Sequence, residues 1–366
     1  MTSNAPATLY RRKGKLFATK NFVPGNEFKY INISSNNTIS DIELLHPLEL
    51  TNTDFQISED SVSNSSLKLF KNTERLYPEY EEQFLDLLSA VYKYGETRTD
   101  RTGTGTKSLF GKSIQIDVSQ QFPLLTTRNL SFNIILEELL WFLRGSTNST
   151  ELSEKGIKIW NGNSSREFLD NRGLTNYKEG LIGKGYGFQL RNFGGTYDPQ
   201  TGEGTNGIDQ LETTLQLLKT DPTTRRALIS FWNPSDLSET ALPPCHYSFQ
   251  FYISKGKYLN MIFNMRSSDL FLATGMNIAS YTILLYIFAK KLDLIPGILT
   301  YNGGDVHIYS NHISQVEEQL IRRARVLPKL ILSDSIKTKK WEEITKDDFT
   351  LLGYWPNLPI TAKMAI

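Results

Sequence analysis

The chain has 366 residues, of which 39% are hydrophobic and 22% are charged, and its formal net charge is +1. This composition is that of an ordinary globular protein and excludes a chain that is fibrous or disordered throughout. The small net charge provides no bulk attraction to nucleic acid or to an anionic membrane, so neither is required as a partner. Any bound anion must be held by local arginines.

Cysteine and histidine are scarce in this chain. Cys245 is the one cysteine, which excludes a disulfide within the chain and favours a reducing compartment such as the cytoplasm. The histidines lack the paired short spacings of a zinc site, so no metal is expected. The first twenty residues are basic without an acidic residue, which faintly resembles a transit peptide and leaves an organelle as the alternative location.

Residues 1–75 differ in composition from the rest of the chain. They contain polar stretches at 32–38 and 58–66 that are rich in Ser and Asn. Such segments cannot bury enough apolar area to offset the entropy of ordering. We therefore expect a polar, mostly flexible N-terminal extension, followed by one folded domain over residues 76–366.

Helices and strands alternate in the first part of that domain. Apolar residues recur at helical spacing from Tyr80 to Tyr92, which predicts an amphipathic first helix. Short β-rich runs at 109–110 and 114–118 predict strands. The apolar run from Phe132 to Leu143, followed by Gly145, predicts a helix that ends at the glycine.

The second part of the domain predicts a sheet between two helices. Residues 208–218 and 277–292 have helical patterns, and the second contains an apolar run that fits a buried core helix better than a membrane span. Strand patterns occupy residues 227–232, 247–253 and 258–263, with a hairpin turn at 254–257. The fold class is therefore α+β, a single domain with a mainly β core sheet covered by helices.

Arginines lie near three turns or strands. They are Arg101 in the loop DRTGTGT, the pair Arg225 and Arg226, and Arg266 beside Ser267. A guanidinium group matches the geometry of a phosphate, so three such elements could converge on one dianionic phosphate. Taken singly, each also fits a solvated surface charge, and a Gly/Thr loop also fits an ordinary turn.

Cys245 follows Pro243 and Pro244, which fix the backbone and present the cysteine from a stiff turn. A nucleophilic role requires positive charge nearby, because the thiolate is the reactive form and its pKa must be lowered. A buried small hydrophobe is the alternative for a lone cysteine. His246 would point elsewhere on a regular strand, so it is a doubtful base for Cys245.

Glu137 and Glu138 interrupt the apolar helix 132–143. Helical spacing places Glu138 on the side of Ile134, Ile135 and Trp141, so one carboxylate is expected to face the interior. Burial raises the pKa of a carboxyl group toward values that suit proton transfer. A surface glutamate remains the alternative.

Three further polar residues lie beside apolar elements. His307 and Tyr309 alternate as on a strand and are expected to point the same way, toward a hydroxyl group or into the core. Asn277, at the start of an apolar helix, fits either a ligand contact or a simple N-cap.

The motifs taken together resemble the thymidylate synthase family. In chain order they are DRTGTGT, EELLWFLRG, KIWNGN, YGFQLRNFG, TRRALISFWNP, LPPCHYSFQFY, RSSD, NIASY, GGDVHIYSNH and the final MAI. The resemblance covers residues 78–366 and implies the thymidylate synthase fold. It also implies methylation of dUMP with 5,10-methylenetetrahydrofolate as cosubstrate, without a metal.

The resemblance implies the following catalytic roles. Cys245 is the nucleophile that adds to C6 of the uracil ring, which makes C5 able to attack a one-carbon unit. Glu138 organises water and proton transfers, and Tyr186 lies near the C5 proton. Asn277 pairs with N3 and O4 of uracil.

The binding roles that the resemblance implies involve two subunits. Arg101, Arg266 and Ser267 hold the phosphate, and Arg225 with Arg226 comes from the other subunit of a homodimer. His307 and Tyr309 contact the ribose 3′-hydroxyl group. The folate positions are Trp160, Asn163 and Asp269, the last also near the nucleotide, and the carboxylate of Ile366 closes the site.

This chain departs from the family pattern on the folate side. The loop 180–187 has Lys184 and Gly185 where the family has Pro-Val, and lacks an aspartate after its first glycine, so it is expected to be looser. Leu190 replaces a tryptophan and Met265 a glutamine. Ala273, Gly275 and Met276 belong to a segment that is Gly-x-Pro-Phe in the family. These changes bear on folate affinity and turnover.

Two alternatives stay open. One is a deoxyuridylate hydroxymethylase, in which water captures the intermediate; Asn277 suits uracil, and Trp160 favours methylation. The other is a catalytically impaired paralogue that binds nucleotide or RNA. The folate-side departures motivate this second alternative, whereas Cys245, Glu138 and Asn277 oppose it.

Overall fold

The computed structural model describes residues 5–12, 15–19, 28–33, 39–45, 54–56 and 79–364. The first five segments are strands that form an antiparallel sheet in the order β4-β3-β1-β2-β5. They are β1 (Ala5–Arg12), β2 (Lys15–Thr19), β3 (Phe28–Ile33), β4 (Ile39–Leu45) and β5 (Asp54–Gln56). Composition indicated a flexible extension here, whereas these segments pair as strands. The division of the chain at residue 75 stays a prediction.

The predicted first helix is α1 (Glu79–Tyr94). It buries Tyr80, Phe84 and Leu88 at helical spacing. After the short strand β6 (Glu96–Arg98), the two predicted strand fragments form one continuous strand, β7 (Thr106–Asp117), in which Gly111 has a positive φ of 68°. The polar residues between the fragments lie on the exposed part of this strand, so the apolar pattern missed them.

The helix predicted over 132–143 is present as α2 (Phe132–Leu143). The side chain of Ser131 caps its first turn by accepting from the Ile134 N–H, and Gly145 follows with a φ of 77°. Short elements continue the chain: α3 (Thr150–Ser153), α4 (Asn161–Ser164), α5 (Arg166–Asn171), α6 (Tyr186–Asn192), β8 (Thr196–Tyr197), β9 (Gly204–Thr205) and α7 (Gln210–Thr220).

A six-stranded mixed sheet forms the centre, in the order β10-β11-β12-β13-β7-β6. Its remaining members are β10 (Leu228–Ser230), β11 (His246–Ser254), β12 (Tyr258–Asp269) and β13 (Ile295–Tyr309). The predicted hairpin joins β11 to β12 through Lys255 and Gly256, both with positive φ. Strands β12 and β13 are parallel, and the helix α8 (Gly275–Lys291) connects them.

Helix α8 covers one face of this sheet. The Tyr281 ring stacks on Phe263 with centroids 4.1 Å apart, and the Phe288 and Phe251 centroids are 4.4 Å apart. Residues 270–291 are apolar and long enough to cross a membrane by composition, but 67% of the apolar window is buried within the protein. The segment is therefore a core helix, as its sequence predicts. The α+β class with a mainly β core is confirmed.

The last elements return to the loop that precedes α2. They are α9 (Ile313–Ile321), β14 (Lys329–Leu332) and β15 (Phe349–Leu352), with 3-10 turns at Pro234–Glu239, Ser310–His312, Asp334–Lys337, Trp341–Glu343 and Lys346–Asp348. The Asn357 N–H donates to the Thr126 carbonyl at 2.7 Å, and the Lys363 carbonyl lies 2.8 Å from His312 Nε2. These bonds hold residues 357–363 beside the loop that precedes α2 and the turn that follows β13.

A buried carboxylate fastens α1 to the loop before α2. The Glu81 side chain is fully buried and accepts bonds from the Thr126 N–H, the Thr126 hydroxyl and the Thr127 N–H at 2.6–3.0 Å. Two backbone donors in the interior thus depend on one side chain. The loop they belong to leads into α2, which carries Glu138.

We predict that Glu81→Ala lowers the free energy of unfolding by about 3 kcal/mol, because it leaves buried donors unsatisfied. Urea denaturation measures the change. Asp86→Ala, at an exposed position of the same helix, is the control and should change stability by less than about 0.5 kcal/mol. Equal effects of the two substitutions would contradict this account.

Candidate active site

Strand register brings the predicted site residues to one end of the central sheet. The Arg266 N–H donates to the Cys245 carbonyl at 2.9 Å, which places the two residues side by side. In the next strand pair, Asp269 lies opposite His307. Ser267 and Tyr309 belong to the same two strand ends, so the sulfur, a guanidinium group and several polar side chains share this end.

Cys245 is part-buried at the start of β11, beside the side chain of Arg266. Arg266 Nε and Nη2 donate to the carbonyls of Pro244 and Pro243, each at 2.9 Å, and Nη2 lies 4.0 Å from Cys245 Sγ. Burial raises the pKa of the Cys245 thiol, while Arg266 and Arg101 act in the opposite direction. The predicted positive charge is present, but burial keeps the free thiol protonated at neutral pH.

Arg101 lies in an exposed turn that faces the same end of the sheet. The Asp100 carboxylate shapes the turn by accepting from the N–H groups of Thr102 and Gly105 at 2.8 and 2.7 Å. Burial raises the pKa of both Cys245 and Tyr309, and the Arg101 charge opposes that rise. The Gly105 carbonyl accepts from the Ser310 N–H at 2.9 Å, which holds the turn with Arg101 at the end of β13, as the phosphate hypothesis requires.

Tyr186 contacts the backbone of Cys245 directly. Its hydroxyl oxygen accepts the Cys245 N–H at 2.7 Å, and its ring stacks on His246 with centroids 4.2 Å apart. Burial raises the pKa of Tyr186 well above its usual value, so the hydroxyl group stays protonated. Because the oxygen accepts from Cys245, its own proton is free to point into the site.

His246 faces away from the cysteine, as its strand position predicts. Its Nδ1 lies 2.8 Å from the Tyr281 hydroxyl oxygen, and burial lowers its pKa to about 3. The imidazole is therefore neutral and held within an aromatic cluster. It is not placed to remove a proton from Cys245.

The two glutamates of α2 have different environments. Glu137 is buried and paired with Lys155 at 2.6 Å. Glu138 accepts the indole N–H of Trp160 at 2.8 Å, and no ion pair to it exists within residues 80–364. Burial raises the pKa of Glu138 to about 7 against the lowering effect of Trp160. Both carboxylates thus point inward, and Glu138 is the one whose pKa suits proton exchange at neutral pH.

The pair at the end of β13 points the same way, as predicted. The rings of His307 and Tyr309 meet edge to face with centroids 5.1 Å apart. Asp305 Oδ1 lies 3.2 Å from His307 Nδ1 and also accepts from the Ser108 hydroxyl at 2.7 Å. Burial raises the pKa of Tyr309 to about 12, so it is a neutral donor.

Asn277 lies within the first turn of α8 and approaches β12, the strand next to β11. Its Nδ2 is 3.6 Å from the Met265 sulfur. The N-cap interpretation is wrong, because α8 begins at Gly275 after Thr274 and the Asn277 side chain makes no cap bond. The amide is thus available for a ligand.

The folate-side residues are less connected to one another. The Asp269 carboxylate caps the turn that follows β12 by accepting from the Leu272 N–H at 3.0 Å, and burial raises its pKa. Trp160 is buried and leads into α4, on which Asn163 is part-buried. Ser267 is also part-buried. Ile366 lies outside the described residues, so its role stays a prediction.

Arg225 and Arg226 do not reach Cys245 within one chain. Both are exposed just before the edge strand β10. The Arg225 carbonyl accepts from the Gln250 side chain at 3.2 Å, so the pair lies beside the middle of β11. At about 3.4 Å per residue, this point is roughly 17 Å along the strand from Cys245.

The loop before Tyr186, which was expected to be looser, is held by ion pairs that the sequence did not predict. Lys184 Nζ lies 3.1 Å from Asp236 Oδ1 and 3.1 Å from Glu239 Oε2, and its side chain is only 12% exposed. The sequence could not show this, because the two carboxylates lie some fifty residues further along the chain. Leu190 and Met265 are buried, while Gly275 leaves space that the side chain of Leu125 fills.

Several groups around the site were not predicted. Asp305 orients His307 and could have been found from its position two residues earlier on the same strand. Tyr281 holds His246, and Asp236 with Glu239 holds Lys184. The partners in each of these pairs are far apart in the sequence, so no short motif contains both. In residues 79–364 and the shorter described segments, no group of three acidic, histidine or cysteine residues is arranged to bind a metal.

The chain matches one protein family over most of its length. Residues 82–366 match the family "Thymidylate synthase". The chain is 44% identical over 287 residues to a bifunctional dihydrofolate reductase-thymidylate synthase of Paramecium tetraurelia, covering 78% of this chain and 61% of that protein.

Two shorter relatives are matched over most of their length. The chain is 44% identical to the thymidylate synthase of Human herpesvirus 8, covering 79% of this chain and 85% of that protein. It is 42% identical to the thymidylate synthase of Homo sapiens, covering 79% and 92%. By contrast, it spans between half and about three fifths of the length of several bifunctional relatives.

The raised pKa of Glu138 predicts a pH-dependent stability. Its ordinary value is 4.5 and its folded value about 7, so the native state holds the proton more tightly than the unfolded chain. The resulting stabilisation is complete below pH 4.5 and is lost as the pH rises through 7. Relative to Glu138→Gln, the wild type should lose about 3 kcal/mol between pH 5 and pH 8.

Urea denaturation of both proteins at the two pH values measures this difference. Glu154→Gln, at an exposed position, is the control and should show no such pH-dependent gap. A Glu138→Gln difference that is the same at both pH values would show that the carboxyl group titrates normally in the folded state.

Proposed function

The chain belongs to the thymidylate synthase family, and from that premise we propose that it converts dUMP to dTMP by reductive methylation. The observation that carries the proposal is the placement of Cys245 beside Arg266, with the Tyr186 hydroxyl on its amide. The cosubstrate 5,10-methylenetetrahydrofolate supplies the one-carbon unit and the hydride and leaves as dihydrofolate. No metal takes part.

Phosphate binding sets the position of the pyrimidine. Arg101 and Arg266 are exposed at the mouth of the site, and Ser267 adds a hydroxyl donor. Charge-assisted bonds from two guanidinium groups hold a dianion and fix its orientation. His307 and Tyr309 lie on the neighbouring strand, where they donate to or accept from the ribose 3′-hydroxyl group.

Asn277 selects uracil. Its Oδ1 accepts no hydrogen bond from residues 80–364, and its Nδ2 makes only a weak contact with the Met265 sulfur. An acceptor and a donor on one amide complement N3–H and O4 of uracil, whereas cytosine presents the opposite pattern at these atoms. The soft Met265 contact leaves the amide free to adjust to the ring.

The covalent step then follows from the position of the sulfur. Cys245 must lose its proton, and the sulfur forms a bond to C6 of uracil while C5 becomes nucleophilic. After C5 has bonded to the one-carbon unit, removal of the C5 proton breaks the bond between that carbon and the folate nitrogen and leaves an exocyclic methylene group on the ring. Hydride transfer from the released tetrahydrofolate then reduces the methylene to a methyl group, gives dihydrofolate, and expels the sulfur from C6, which returns the cysteine.

Glu138 and Tyr186 manage the protons of this sequence. The pKa of about 7 at Glu138 allows the carboxyl group to exchange protons with water at neutral pH. Tyr186 stays protonated, so it acts by orienting water near the C5 proton rather than as a base itself. Trp160 fixes the Glu138 carboxylate and forms part of the wall on the folate side. Asn163 and Asp269 lie on that side as well, and we assign Ile366 the closing role.

We further propose that the protein acts as a homodimer with shared sites. Arg225 and Arg226 are exposed and lie far from Cys245 of their own chain. The open face of the central sheet exposes Tyr252 and Leu228 beside them, which suits contact with a second copy. The arginines of one subunit then reach the phosphate in the other. A cytoplasmic location suits the single reduced cysteine.

The covalent step has a direct test. Unchanged protein mixed with 5-fluoro-dUMP and methylenetetrahydrofolate should gain the mass of both, because fluorine at C5 cannot leave as a proton. Cys245→Ser should gain none. With dUMP instead, dihydrofolate and dTMP should appear in equal amounts.

Any of three outcomes would overturn the proposal. An adduct retained in Cys245→Ser would show that another residue is the nucleophile. A hydroxymethylated nucleotide formed without dihydrofolate would show a hydroxymethylase, and no product with no adduct would show a binding protein.

Mixing two inactive variants tests the shared site. Cys245→Ser lacks the nucleophile, and Arg225→Ala/Arg226→Ala lacks the donated arginines. Random exchange of subunits makes half of the dimers mixed, each with one complete site, so about a quarter of wild-type activity should return. If the arginines serve their own subunit, no mixed dimer contains a complete site, and the mixture stays inactive.

A further inference from the structure

The loop that carries Tyr186 is held by a buried ion pair that includes Lys184. We propose that Lys184 is a positioning residue, which fixes Tyr186 against the Cys245 amide by binding Asp236 and Glu239; this inference rests on the proposed function. Lys184 Nζ lies 3.1 Å from Asp236 Oδ1, and the side chains of Lys184 and Asp236 are 12% and 8% exposed. The second carboxylate, Glu239, is also 3.1 Å away and half-exposed.

Backbone contacts join the same two segments. The Lys184 N–H donates to the Glu239 carbonyl and the Ala241 N–H to the Ile182 carbonyl, both at 3.0 Å. Gly183 has a φ of 74°, and a Cβ atom there would lie 2.2 Å from the Glu239 carbonyl oxygen. A side chain at residue 183 would therefore collide with the turn, and only glycine lets the two backbones lie this close.

These two segments lead to the reacting groups. From Lys184 the loop passes through Gly185 into Tyr186, and from Glu239 the chain runs through the two prolines to Cys245. They meet again where the Tyr186 hydroxyl accepts the Cys245 N–H at 2.7 Å. The two segments are thus joined at two points: by the ion pair at Lys184 and by this hydrogen bond at Tyr186.

Asp236 contacts residues both before and after Tyr186 in the chain. Its Oδ2 accepts from Gln189 Nε2 at 2.9 Å and from Asn233 Nδ2 at 2.8 Å, while Oδ1 faces Lys184. Gln189 lies on α6, one turn after Tyr186. Burial by itself lowers the pKa of Lys184, but the bonds to Asp236 and Glu239 raise it overall, so the ammonium group stays charged.

The ion pair restricts a loop that has little stiffness of its own. Gly185 has no side chain to restrict the backbone before Tyr186. The ion pair joins this loop to a second segment, so a neutral residue at 184 should leave Tyr186 free to shift.

Kinetics distinguish positioning from a general effect on folding. Release of tritium from C5-labelled dUMP reports proton removal, in which Tyr186 takes part. The rate of adduct formation with 5-fluoro-dUMP reports addition of the sulfur, which does not involve that proton. A loss of positioning slows the first measurement much more than the second.

Four variants complete the experiment. They are Lys184→Met, Lys184→Arg, the double variant Lys184→Met/Asp236→Asn, and Lys339→Met. The double variant removes both charges, so it avoids a buried carboxylate without its cation. Lys339→Met is the matched control, since it breaks a comparable ion pair with the buried Asp348 at 2.7 Å on a segment without site residues.

We expect Lys184→Met and the double variant to release tritium about tenfold more slowly at saturating dUMP, with KM and adduct formation within about threefold of wild type. Lys184→Arg should retain most of the rate. Lys339→Met should lower the melting temperature without slowing tritium release.

Wild-type tritium release by the folded double variant would overturn the inference. The same conclusion follows if Lys339→Met slows release as much as Lys184→Met does. If the unchanged protein makes no dTMP, the proposed function fails instead, and the two failures are distinguishable.

Discussion

Backbone hydrogen bonds between β11, β12 and β13 set the spacing of most groups in the site. They place Cys245 beside Arg266 and Asp269 opposite His307, and helix α8 brings Asn277 to the same end of the sheet. Because the buried face of this sheet packs on α8, a shift of register by one residue would turn the apolar side chains outward. The core therefore fixes this part of the site, while a turn adds Arg101, the start of α6 adds Tyr186 and α2 adds Glu138.

Burial favours the neutral form of the acidic groups in this framework. It raises the pKa of Cys245, Glu138 and Tyr186, while the exposed Arg101 and Arg266 remain the charged groups at the entrance. Such a site attracts a dianion and favours the protonated form of its own acids. Activation of the sulfur then requires that its proton leave, and Glu138, with a pKa of about 7, is the group on α2 suited to exchange protons.

Local sequence patterns predicted the helices and strands. The features that were not predicted depend on contacts between residues that are remote in sequence. The apolar run with Ser131 before it and Gly145 after it predicted the bounds of α2, and the motif around Cys245 predicts a nucleophile. The Asn277 cap was wrong because α8 starts earlier, at Gly275. The loop at Lys184 was expected to be loose from its departures from the family pattern, and its carboxylate partners, Asp236 and Glu239, are too remote in sequence to be recognised from it. Glu138 needed its partner Trp160 before its environment could be judged.

In the proposed reaction the pyrimidine lies on the Cys245 sulfur while arginines hold its phosphate. A crystal structure of the complex with dUMP would show both contacts. We expect the sulfur within about 3.5 Å of uracil C6, and the phosphate on Arg101 and Arg266 together with Arg225 and Arg226 of a second subunit. A uracil ring bound away from Cys245, or a phosphate that contacts none of these arginines, would contradict it.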